Sequence, residues 1–171
     1  GRHQSHATLF PVFGAAVLRP QPSRPSAPSA FLFWGPHAAG HQSPAALHLD
    51  LHADGEKITD APRMDNRGYA DPLYLTWART TIAHNTVTVD RTPMFPYDFE
   101  SDSIWECDRW RDSISDGECL LFQPDGKGFQ AVRARNERVY PGVCLDRTVL
   151  VTPDMVLDIY RILSDQVHLY D

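Results

Sequence analysis

Short apolar stretches, each closed by a Gly, Pro or Asp turn, most narrow the folds open to this chain. No window holds a three-to-four-residue apolar period over a dozen residues, so no long amphipathic helix is expected. Residues 8–18 (TLFPVFGAAVL) are apolar, but Pro11 and Gly14 interrupt them, which fits a kinked strand better than a helix. Prolines at 20, 22, 25 and 28 then impose an extended loop. Residues 29–34 (SAFLFW) read as a buried strand ended by Gly35-Pro36. Next, Leu47, Leu49 and Leu51 alternate with His48, Asp50 and His52, the period-two pattern of a strand with one apolar face. Asp54-Gly55 signals a tight turn, and EKITD reads as the return strand. Residues 61–76 read as a long loop and residues 85–90 (NTVTVD) as a strand. Strands are also expected over 118–123, 129–135, 144–151 and 155–162, with turns at Pro124-Asp125-Gly126 and Pro153-Asp154. This is the pattern of an all-β, antiparallel β-sandwich.

Composition bounds the partners. A 171-residue chain with 42% hydrophobic and 22% charged residues suits one soluble globular domain. The formal net charge is −6 and no basic block occurs, which argues against nucleic acid, whose phosphates need clustered Lys and Arg. No apolar run approaches the ~20 residues of a spanning helix, so no membrane partner is expected. Cys107, Cys119 and Cys144 are an odd, widely spaced set, expected as free thiols.

Residues 38–55 (AAGHQSPAALHLDLHADG) concentrate ionisable groups. His48, Asp50 and His52 share one strand face, as metal ligands can, but their β-carbons would lie about 6.5–7 Å apart. The plainer reading, a solvated face opposite the leucines, is favoured. His41 stands instead on an irregular loop after Gly40, where a rigid scaffold often carries catalytic groups. His84 and Asn85 open AHNTVTVD, where they could hold an ion or orient a substrate, and Asp60 ends EKITD.

In order, these elements form a longer pattern. It comprises Gly40-His41, the L-x-L-x-L-x-A-x-G run of residues 47–55, Asp60, Y-A-D-P-L at 69–73, and W-A-R-T-T-I-A-H-N-T-V-T-V-D at 77–90. The tail DRTVLVTPDMVLDIYRILSDQVHLYD adds a strand pair. The pattern resembles the C-terminal β-domain of the heparinase II/III-like polysaccharide lyases, closest to the oligoalginate lyase branch. The resemblance implies cleavage of uronic-acid polysaccharide, alginate or glycosaminoglycan, by β-elimination. It implies a cleft between an N-terminal α/α toroid and this β-domain, with the toroid supplying a tyrosine and this domain the catalytic His41. It makes Arg79, His84 and Asn85 substrate-binding or site-supporting residues. In many such lyases zinc is held by the second histidine of an H-x-H loop, an aspartate and the histidine of HNTV; here the last two are Asp60 and His84.

Two departures modify these expectations. Ser43 stands where the second histidine of H-x-H would be, and Ala45 where an aspartate is common. A neutral hydroxyl replaces imidazole poorly on zinc, so no cofactor is expected to be required. No part of the chain reads as a toroid. The expectation is a leading strand and Pro-rich loop over 1–28 and a β-sandwich over 29–171, truncated at both ends and inactive alone. The expected partners are a uronate oligosaccharide or polysaccharide and the toroid, in a bacterial cytoplasm or periplasm. Two rival readings are a non-catalytic carbohydrate-binding sandwich using Trp77, Trp105 and Trp110, and a metal protein built on His48, Asp50 and His52.

Overall fold

The computed structural model describes residues 7–21, 24–37, 43–59, 71–95, 115–124 and 128–171. Among the described residues, nine strands form two antiparallel sheets. The first holds β1 (Thr8–Phe10), β2 (Ala15–Leu18), β3 (Ser29–Phe33), β4 (His48–Ala53) and β5 (Glu56–Lys57), in that order. The second holds β6 (Glu118–Gln123), β7 (Gln130–Asn136), β8 (Val143–Val151) and β9 (Val156–Ser164). Strand β2 packs on β7 and β3 on β8, so the sheets face each other as a sandwich.

Pleating explains which residues meet. Registers Ala16↔Leu32, Ala30↔Leu51 and Leu32↔Leu49 set one face of the first sheet inward. Val132, Ala134, Leu145, Val149 and Val151 answer from the second, and together these residues form one buried cluster. On the outside of the second sheet, Asp146 is nearly buried between Arg133 and Arg161, at 2.6 and 2.9 Å. Burial acts to raise its carboxyl, yet the two guanidiniums outweigh burial and hold it below the ordinary range.

Several expectations change in detail. Residues 8–18 form a hairpin rather than one kinked strand: Gly14 N–H closes a turn onto the Phe10 carbonyl at 2.8 Å. Gly14 sits at φ +74°, and a β-carbon there would lie 2.4 Å from Gly35 Cα. The two backbones touch because neither carries a side chain, so Gly14→Ala is expected to lower Tm by several degrees. A thermal melt matching the parent chain would contradict this contact. The Asp54-Gly55 turn forms as expected, both residues at positive φ, but β5 is only two residues long. Of the expected loop over 61–76, residues 61–70 lie outside the described residues, and the end of it is instead a short π-helical turn at Tyr74–Ala78. Residues 85–90 are not a strand. A 3-10 turn, Thr81–Ala83, leads into an irregular segment that meets other backbone at Asn85, whose carbonyl accepts Leu49 N–H, at Val89, bridged to Thr92 and Tyr170, and at Thr88 and Asp90.

Candidate active site

Strand β4 carries its polar residues outward, but they are not evenly solvated. His52 is exposed and Asp50 half-buried, whereas His48 is only 7% exposed. The expectation of a solvated face therefore fails at His48, because the 84–86 segment covers it. Asn85 N–H donates to His48 Nδ1 (3.2 Å), and the His84 ring meets the His48 ring edge-on at 5.6 Å. An accepting Nδ1 leaves the His48 proton on Nε2, which lies 3.3 Å from Asp50 Oδ1. Lys57 Nζ approaches the same oxygen at 3.4 Å. Burial alone would raise the Asp50 carboxyl; His48 and Lys57 outweigh it and hold the group below its usual range.

Among the described residues of the predicted site, His84 is the most strongly perturbed. Burial lowers its pKa to about 4, against a raising contribution from its hydrogen bond to the Thr80 carbonyl. His84 Nδ1–H donates to that carbonyl at 2.8 Å. The neutral ring thus presents Nε2 as a lone pair. At pH 7 such a weak base suits accepting a hydrogen bond better than abstracting a carbon-bound proton.

Asn85 is clamped from several directions. Its carbonyl accepts Leu49 N–H (3.3 Å) and Arg147 Nη1–H (2.7 Å), and its Oδ1 accepts Arg147 Nη2–H (2.9 Å). Arg147 projects from β8 between the sheets and is 3% exposed. Asp158, on β9, accepts both Nε–H (2.9 Å) and Nη2–H (2.6 Å), a bidentate pair. Arg147 Nη1 also donates to the carbonyl of Leu47 at 2.8 Å, and its guanidinium lies 5.0 Å from the Tyr160 ring centre. Leu47 has φ +58°, a left-handed conformation costly for a bulky residue. One buried cation thus fixes both the strained turn into β4 and the His84-Asn85 segment.

The backbone leaving the Gly-His loop is bolted down likewise. Thr81 Oγ1 donates to the Pro44 carbonyl and Thr86 Oγ1 to that of Ala46, both at 2.7 Å. On the other side of the loop, His37 is fully buried, its N–H on Ser115 Oγ (3.1 Å) and its Nε2 on the Phe95 carbonyl (2.9 Å). His41, Asp60, Tyr69, Ala70, Trp105 and Trp110 lie outside the described residues. Arg79 ends the π-helical turn, its N–H on the Tyr74 carbonyl, while Trp77 is 44% exposed. Ser43 is half-buried just before Pro44.

Among the described residues, no group of three His, Cys, Asp or Glu side chains is placed to hold a metal ion. His48, Asp50 and His52 fail together because Asp50 is engaged with His48 and Lys57 while His52 faces solvent. His84 has the tautomer a metal ligand needs, but its described neighbours do not complete a zinc site, and no step below passes through one.

Arg147 has no place among the sequence expectations, which put His48 on a solvated face or in a metal set rather than buried beneath residues 84–86. For Arg147 a signal existed: Leu145, Arg147 and Val149 alternate in one phase, so the arginine had to face the core and needed partners there.

Two histidines set an acid response. Burial holds His37 at about 4, and the Phe95 carbonyl offsets this only in part; His84 sits at about 4 as well. Both exceed their folded pKa when unfolded, near 6.5. The unfolded chain therefore binds more protons between about 6.5 and 4, so stability is full above that window and lost as pH falls through it. Denaturant melts are expected to show a loss of roughly 3 kcal/mol from His37 by about pH 4. Replacing His37 with Gln should remove roughly half of the pH dependence and leave the share due to His84; a pH-independent profile in the unsubstituted chain would contradict the buried neutral histidines.

No protein-family model matches the chain, and no curated protein matches it. Solved structures do. The "Heparinase III-BT4657 gene product" superposes with TM-score 0.70 at 19% identity, over 94% of this chain and 22% of that one. The heparan sulfate lyase HepC from Pedobacter heparinus superposes with TM-score 0.67 at 20% identity, over the same shares, and a mutant of it with TM-score 0.70. The fold is heparinase III-like. The chain spans 22% of the length of these solved chains.

Proposed function

We propose that this chain is the β-sandwich part of a larger uronate polysaccharide lyase, acting on alginate or a glycosaminoglycan. The observation that carries the reading is the clamped His84-Asn85 segment, flanked by Thr81 and Thr86 bonded to the carbonyls of Pro44 and Ala46, on a heparinase III-like fold. In the proposed reaction a base takes the C5 proton of the uronate. The C–H electrons become the C4–C5 double bond, the C4–O4 pair leaves with O4, and an acid protonates O4. His41 supplies one of these proton transfers, since imidazole titrates near neutral pH. His84 Nε2 accepts a hydrogen bond from a sugar hydroxyl, and Asn85 and Arg79 support that grip. A toroid in the parent chain supplies the remaining groups, so the 171 residues alone are expected to be inactive.

The test is the full-length parent incubated with oligoalginate and heparan oligosaccharides. Growth of the ultraviolet absorbance of a C4–C5 unsaturated uronate is expected with one of them. A parent silent on all uronate polymers would overturn the reading. Half-exposed Trp77 favours one rival, a sugar-binding module without catalysis. In that case calorimetry shows this chain binding uronate oligomers that its parent never cleaves.

A further inference from the structure

A pocket of about 410 Å³ opens beside the 80–84 turn and shares Thr80 with the site above. Its size falls within the range of small-molecule sites, roughly 300–1,000 Å³. Thr76, Thr80, Thr81, Thr88 and Thr92 line it, together with Ile82, Arg91 and Asp171. Four of the threonine hydroxyls have spent their protons. Those of Thr76, Thr80, Thr81 and Thr92 donate to the carbonyls of Pro72, Trp77, Pro44 and Val89, each at 2.7 Å. What these oxygens can still offer is lone pairs, and at Thr81 Oγ1 one of those already accepts Met94 N–H at 2.9 Å. Thr88 differs: its Oγ1 is buried and has no hydrogen-bond partner, and the residue is 3% exposed. An unpaired buried hydroxyl is costly, and a site can be built around one.

Arg91 is the second anomaly. Val89, Asp90, Arg91 and Thr92 make a tight turn, Thr92 N–H on the Val89 carbonyl at 3.0 Å, with φ +53° at Asp90 and +59° at Arg91. Such a turn strongly prefers glycine at its second central position. Arginine there is strained, and the turn is held regardless. The Asp90 carboxylate accepts His168 Nδ1–H (2.7 Å) and Leu169 N–H (2.9 Å), and Asp90 N–H donates to the Leu169 carbonyl (2.8 Å). Arg91 lines the pocket with its side chain exposed, and among the described residues it has no ion-pair partner. The only described carboxylate lining the pocket is that of Asp171.

We propose that this pocket is a subsite for one acidic sugar unit. Arg91 pairs with the sugar carboxylate, Thr88 Oγ1 fills its hydrogen-bonding capacity with the ligand, and sugar hydroxyls donate to the threonine lone pairs and to Asp171. A ligand bearing both an anion and several hydroxyl donors fits this lining; an inorganic anion would use Arg91 alone. The choice of a uronate over other hydroxylated anions rests on the lyase reading above.

Calorimetric or NMR titration of this chain with methyl β-D-glucuronoside and the neutral methyl β-D-glucoside tests the subsite. The wild-type chain is expected to prefer the acid by about tenfold, the scale of one hydrogen-bonded charge pair. Arg91→Gly should remove that preference while leaving Tm equal or higher, since glycine relieves the turn. Thr88→Val should weaken both sugars and keep the preference for the acid. The subsite is wrong if wild type binds neither sugar, if Arg91→Gly retains the preference, or if inorganic phosphate binds as tightly as the glucuronoside and displaces it. The lyase reading fails separately. A parent that cleaves uronate polymers with a KM unmoved by Arg91→Gly leaves the lyase and removes the subsite. Arg91-dependent glucuronoside binding in a chain whose parent cleaves nothing leaves the subsite and removes the lyase.

Discussion

Arg147→Met should be the most destabilising single substitution in the described chain, costing about 3–5 kcal/mol. Methionine fills a similar volume, so the expected loss is electrostatic rather than a cavity effect. It leaves Asp158 without its bidentate partner and strips donors from the carbonyls of Leu47 and Asn85 and from Asn85 Oδ1. The strained backbone at Leu47 loses the bond that holds it. At the 2–4 °C per kcal/mol typical of chains this size, Tm should fall by roughly 10 °C. Arg147→Lys should recover only part of that, because an ammonium cannot reach two carboxylate oxygens and two carbonyls in the same fork geometry. A melt of Arg147→Met within about 2 °C of wild type would show that the clamp is ornamental.

The second large effect is on turnover. If the proposed lyase reading holds, His41→Ala in the proposed full-length parent is expected to lower kcat by roughly 10²- to 10⁴-fold, the usual worth of a positioned general acid or base, with little change in KM. His84→Gln should do the reverse, raising KM more than it lowers kcat. The difference follows from protonation: a ring held near 4 is a poor base at neutral pH but keeps a lone pair for a sugar hydroxyl. If the two variants exchange these behaviours, the proton-transfer role belongs to His84.

Much of this was legible in the sequence, and the failures have physical causes. Strands β6 to β9 follow from period-two patterning and turn residues, and their observed limits differ from expectation by no more than two residues. Alternation in NTVTVD misled over its first half only. Residues 88–90 do pair with 169–171, through Thr88 N–H on the Asp171 carbonyl (2.9 Å), Asp171 N–H on the Thr88 carbonyl (3.2 Å) and Asp90 N–H on the Leu169 carbonyl (2.8 Å), a run too short to make a strand. Thr86 bonds the Ala46 carbonyl, while Thr88 and Val89 bury against the chain's last residues. The π-helical turn had a readable start in Asp71-Pro72, where the carboxylate accepts Leu73 N–H at 2.8 Å. At β4, alternation could say that His48, Asp50 and His52 share a side. It could not say that a segment from residues 84–86 would cover one of them. Contacts distant in sequence, such as His48 with Asn85 or Arg147 with Leu47, have no local signature.

The central claim is that this sandwich serves uronate β-elimination. The most direct measurement is the ultraviolet absorbance of the full-length parent mixed with oligoalginate and with heparan oligosaccharides, beside its His41→Ala variant. The account predicts a rising unsaturated-uronate signal with one substrate that the variant nearly abolishes. No signal with any uronate polymer, or a signal that His41→Ala leaves intact, would contradict it.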